Sequence, residues 1–146
     1  MTDNAILKRY ALVTLATMIG VYALTYALEL VAGVDAGAGV GIVTAIVPAM
    51  DAGQTHARKT QAELNSQRMW RLALNGTFIN FGISLAVTAV FLVAFQVPIM
   101  PLMAALGPIG LLIMIAIFFG FYFLSARVFI GMGQRAEFKR QARSKE

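Results

Sequence analysis

Residues 35–51 read DAGAGVGIVTAIVPAMD, an apolar stretch closed at each end by an aspartate. A bilayer crossing needs about 20 mostly apolar residues. This stretch is shorter than that, and it contains Pro48. Whether it crosses decides the fold, because it sets the side on which every later residue lies. Three longer apolar runs flank it, at about 10–32, 70–95 and 108–130. The first exceeds the 7–15 apolar residues of a signal peptide and is read as an uncleaved helix.

Charge answers the question that hydropathy leaves open. The chain has 12 lysines and arginines. Lys8 and Arg9 precede the first run. Arg58, Lys59, Arg68 and Arg71 lie between the second and third, and the other six lie from Arg127 onward. The connections 33–35 and 96–107 hold none. If the short stretch crosses, all twelve fall on one side, and the positive-inside rule makes that side cytoplasmic. A three-crossing chain would put the middle loop or the tail on the wrong side. The expectation is an all-α integral membrane protein, one domain over 1–146. It has four transmembrane helices at about 10–32, 36–53, 61–95 and 108–130, a basic tail at 131–146, and both termini cytoplasmic.

Composition agrees. Apolar residues make up 59% of 146 and charged residues 13%, and mean hydropathy is +0.74. A soluble domain of this size could not bury so much apolar surface, and disorder needs the opposite composition. There is no cysteine and one histidine, His56. Disulfides, thiolate or multi-histidine metal sites and a cysteine nucleophile are therefore excluded. No G-x-S-x-G, H-E-x-x-H, P-loop or dinucleotide fingerprint occurs. The reading is a non-enzymatic protein with no catalytic residue, cofactor or metal. The net charge of +5 belongs to membrane topology and not to nucleic acid, for which no recognition module is present.

Four groups of residues stand out. Gly33, Gly37, Gly41, Ala45, Ala49 and Gly53 recur every fourth position. They form a helix face on which another backbone can approach closely, within the chain or on a partner. Thr77, Asn80, Ser84 and Thr88 share one face of the third helix. They read as interhelical hydrogen bonding or as the lining of a polar path. In the first case Asn80→Leu costs little. Glu29, at the far end of the first helix, and Asp51, at the close of the second, are possible functional carboxylates. In the tail, Arg135, Lys139 and Arg143 align if helical and would meet anionic lipid. Thr60-Gln-Ala-Glu63 has the pattern of a capping box opening the third helix near Gln61. Pro108 suits a first helical turn, Gly131 and Gly133 mark the fourth helix's end, and Tyr10, Trp70 and Tyr122 read as interfacial anchors.

The Gly-rich start of the second helix, Ala49-Met50-Asp51-Ala52-Gly53-Gln54, a polar loop and Trp70 together resemble a family of small bacterial four-helix membrane proteins without assigned activity. The resemblance covers about residues 5–95. It implies a bacterial inner-membrane location and carries no functional residue. The chain also has the four short helices of small multidrug-resistance transporters, but it lacks their central glutamate in the first helix. The expected role is an accessory subunit or assembly factor of a larger membrane complex. A homo-oligomeric transporter or channel using the third helix's polar face is the alternative. The partners are lipid and either a larger complex or a second copy.

Overall fold

A computed structural model describes residues 3–33, 37–94, 96 and 99–144. The side chains of 3, 37–41, 91, 99, 102, 103 and 105 lie outside that description. Four helices account for almost all of it: α1 (Asp3–Ala32), α2 (Gly37–Thr60), α3 (Ser66–Ala94) and α4 (Ile99–Arg143). Three segments, Asn4–Ala32, Ser66–Ala94 and Leu106–Arg143, are long and apolar enough to cross a membrane. The protein is helical with the makings of a multi-pass membrane protein.

The helices pack in the ring α1–α2–α4–α3. The seam between α2 and α4 is the most extensive, and α2 barely touches α3 across the diagonal. Direction alternates along the chain, so in the ring α1 and α3 run one way and α2 and α4 the other. Arg9 near the start of α1 meets Asp51 in the second half of α2. Tyr10 packs on Gly76 in the first half of α3. Gly53 of α2 lies against Ile130 in the last third of α4. The start of α1 and the end of α4 therefore lie at one end of the bundle, together with the described lysines and arginines.

α1 begins at Asp3, before the expected start at about residue 10, and four further helix boundaries depart from the sequence expectation, each for a local reason. α2 does not close at Gly53 but runs on to Thr60, because Gly53 and Ala57 are buried against neighbours and leave no cause to stop. The capping-box reading at Thr60 fails. The Thr60 hydroxyl donates to the His56 carbonyl, finishing α2, and Gln61 takes a left-handed φ of 50°. Asn65 is the actual cap of α3, its Oδ1 accepting from the Arg68 amide at 2.8 Å. The tail expected at 131–146 is helical through Arg143. Gly131 and Gly133 do not end α4, since Gly133 is consumed by close packing on Met50. The connection before α4 is also helical from Ile99. Gly107, with φ 62° and ψ 171°, then breaks the helix, and Pro108 restarts it as its sequence position predicts.

The core is eccentric. Ile6, Tyr10, Ala49, Ala52, Leu64, Leu72, Ala73, Ala126 and Ile130 form one buried cluster, and every member lies toward the basic end. Four of the nine are alanine, and the helices are close there. A Cβ on Gly53 would collide with the Ile130 carbonyl, and one on Gly133 with the Met50 carbonyl. Each glycine thus turns a Cα–H toward a carbonyl across the seam. Such weak hydrogen bonds are worth about 0.5–1 kcal/mol each. Tyr10, expected as an interfacial anchor, is only 2% exposed. Its ring fits because Gly76 has no side chain, and a Cβ there would lie 2.9 Å from Tyr10 Cζ.

Candidate functional site

At the basic end, two carboxylates are held by guanidinium forks. Arg9 Nε and Nη2 donate to Asp51 Oδ2 and Oδ1 at 2.7 and 2.9 Å, tying α1 to α2. Arg58 Nε and Nη2 donate to Glu137 Oε1 and Oε2 at 3.1 and 3.3 Å, tying α2 to α4. Glu137 also accepts from Gln141. The Glu137 carboxylate raises the Arg58 pKa, chiefly through that hydrogen bond. Asp51 therefore does not close a solvated helix end. It lies inside α2 as the anchor of an ion pair. Glu137 and Arg58, unremarked as a pair in the sequence, are its counterpart 79 residues apart. A third tie joins α4 to α3. Arg127 donates to the Met69 thioether, and its guanidinium lies over Trp70 at 4.9 Å. Trp70 in turn packs on Phe123 at 5.2 Å between ring centroids. Arg127 and Trp70 stood out from sequence as a basic and an aromatic marker, but nothing there signalled their pairing.

The small-residue stripe divides. Ala45, Ala49 and Gly53 are buried on α2. Gly37 and Gly41 belong to α2, but their surroundings lie outside the described residues. Gly33 leaves the stripe. It has φ 64°, and its amide donates to the Glu29 carbonyl, so it is the C-terminal cap of α1.

The polar face of α3 also divides. Thr77 and Asn80 are each 1% exposed. The Thr77 hydroxyl donates back to the Ala73 carbonyl. Asn80 Nδ2 donates to the Thr44 carbonyl of α2 at 3.3 Å. That carbonyl is the one Pro48 leaves free, because residue i accepts from i+4 in a helix and proline has no N–H. Asn80 supplies the missing donor from another helix, as membrane interiors demand. Ser84 is half-buried and Thr88 is exposed, so the face is not a continuous inner lining.

Beyond Asn80 the seams open. Between α1 and α3 lies a cleft of about 750 Å³, lined by Met18, Ile19, Tyr22, Thr25, Tyr26 and Glu29 from α1 and by Val87 and Thr88 from α3. A smaller hollow of about 210 Å³ between α3 and α4 is bounded by Phe81, Ser84, Met114, Phe118 and Tyr122, among others. Tyr122, expected as an interfacial anchor, lines this hollow. Glu29 is exposed and makes no ion pair among the described residues. Arg135, Lys139 and Arg143 are exposed along the helical continuation of α4, aligned as their spacing predicts. No group of three His, Cys, Asp or Glu able to hold a metal occurs among the described residues. Comparison with known protein families, curated proteins and solved structures finds no match to this chain.

Proposed function

We propose that the protein is a non-enzymatic, four-span protein of a bacterial inner membrane, with both termini cytoplasmic, serving as an accessory subunit or assembly factor of a larger membrane complex. In this reading α2 crosses as the fourth, shortest span. Support comes from its packing antiparallel to α1 and parallel to α4, and from the gathering of Lys8, Arg9, Arg58, Lys59 and the basic face of α4 at one end. The resemblance to small four-helix bacterial membrane proteins points the same way.

The observation that carries the accessory reading is the contrast along α4. Its last third is clamped to α2, whereas Ile109, Leu112, Ile117 and Leu124 are each at least 59% exposed. The protein is held together at its basic end and presents apolar helix faces elsewhere, as a subunit docking inside the bilayer would. Against transport along the α3 polar face count the burial of Thr77 and Asn80 and the plug formed by Tyr10 on Gly76.

Photo-crosslinkers placed singly at Leu112, Ile117 and Arg135 in native membranes test the reading. The expected result is a discrete adduct with one larger membrane protein from the first two positions and not from Arg135. Adducts only with a second copy of this chain would favour the homo-oligomeric transporter, and adducts only with lipid would contradict the accessory role.

A further inference from the structure

The cleft between α1 and α3 has a chemistry that docking on α4 does not use. Its walls are mostly apolar: Met18, Ile19 and Val87, with the rings of Tyr22 and Tyr26. Its volume lies in the range of about 300–1,000 Å³ usual for small-molecule sites. Tyr22, Tyr26 and Glu29 fall at positions i, i+4 and i+7 of α1, one helix face. The cleft therefore ends on a carboxylate preceded by two aromatic rings.

The charge around it is one-sided. No lysine or arginine occurs between residues 10 and 57 or between 72 and 126. Glu29 lies 20 residues beyond Arg9 along α1, about 30 Å at 1.5 Å per residue. No basic side chain among the described residues can reach it. Glu29 is exposed at the mouth of the cleft, so a cation seated there would meet a negative charge that no described lysine or arginine already neutralises. Tyrosine ring faces attract the same kind of charge.

We infer that the α1–α3 cleft is a binding site for a membrane-partitioned amphipathic cation, with an apolar body between Met18, Ile19 and Val87 and a positive head at Tyr22, Tyr26 and Glu29. A phospholipid headgroup fits less well, because its phosphate would meet Glu29 with no lysine or arginine to receive it. A neutral acyl chain fills the apolar part but leaves the carboxylate without a counter-charge. The inference does not rest on the accessory reading. It concerns another face of the bundle and fails or stands separately.

Two probes of the same shape and opposite charge separate these cases: tetraphenylphosphonium and tetraphenylborate. Binding is measured to the full chain in phosphatidylcholine nanodiscs, with uptake by empty discs subtracted. Saturable, one-to-one binding of the phosphonium and none of the borate is expected. Glu29→Gln, an exposed position outside the core, should weaken phosphonium binding at least tenfold without changing the melting temperature. Thr88→Trp, which fills the cleft from α3, should abolish it. Equal uptake of both ions, non-saturable uptake, or unchanged affinity in Glu29→Gln would overturn the site.

Discussion

Gly53 and Gly133 stand at the basic end with a carbonyl where a side chain would go. Gly82 and Gly120, farther along α3 and α4, have nothing within 4 Å of the same position. The same residue type thus reports two kinds of interior. Toward the basic end, small residues let α2 and α4 approach until backbone meets backbone. Two bidentate ion pairs and an arginine over a tryptophan then fix the register of all four helices. Toward the other end clefts open between α1 and α3 and between α3 and α4. In a membrane the hydrophobic effect does not drive helices together, so packing and polar contacts must do so. Association is therefore concentrated where those contacts are.

The largest expected effect follows directly. Gly53→Leu or Gly133→Leu inserts a side chain into a carbonyl and should prevent assembly of the α2–α4 seam, a loss beyond the roughly 1–3 kcal/mol of ordinary overpacking. Thermal unfolding in mild detergent measures it. Survival of both variants at the wild-type melting temperature would mean that the two helices are farther apart than described.

The ion pairs come next. Reversing one partner, as in Arg58→Glu or Glu137→Arg, should lower the melting temperature clearly, since Glu137 has a side chain only 7% exposed. Combining the two reversals should recover most of the loss. Failure of the double variant to recover would remove the pair from the set of contacts that hold the register.

Asn80 sharpens the comparison at its boundary. Asn80→Leu should cost about 1–3 kcal/mol, the usual penalty for stranding a buried polar group. This reverses the small cost expected from sequence, where Asn80 had no known partner to strand. The mechanism makes a more specific claim. In Pro48→Ala the new amide at residue 48 can donate to the Thr44 carbonyl, so Asn80→Leu should then become nearly neutral. A double-mutant cycle that gives additive losses would separate Asn80 from Pro48.

The smallest effect belongs to the open half. Gly82→Ala and Gly120→Ala should be neutral or stabilising by up to about 1 kcal/mol, through helix propensity alone. A marked loss at either site would reveal packing that the open half is described as lacking.

Much of this architecture was legible before any coordinates. The charge partition gave the alternation of helices, and apolar length gave three of them. Pro108 located the restart of α4. What sequence could not give were contacts distant in the chain. Gly133 looked like a helix end, because a glycine that breaks a helix and one that admits a neighbour are the same residue; Gly53, read as part of the close-approach face, does admit a neighbour, but which helix it meets was not legible. Asp51 looked like a boundary because its partner lies 42 residues earlier. Asn80 looked like one of four polar residues on a stripe, whereas its partner is a carbonyl freed by a proline on another helix. Of the carboxylates singled out, Asp51 is spent on structure and Glu29 is left free at the cleft.

The reading of α2 as a crossing helix bears most on the whole account, and the absence of cysteine from the chain makes it directly measurable. Single cysteines at Glu63, Gln96 and Ala142 are exposed to a membrane-impermeant thiol reagent on intact cells, and again after lysis. The account predicts labelling of Gln96→Cys on intact cells, with Glu63→Cys and Ala142→Cys labelled only after lysis. Labelling of Glu63→Cys on intact cells would place the middle loop outside and contradict the four-span fold.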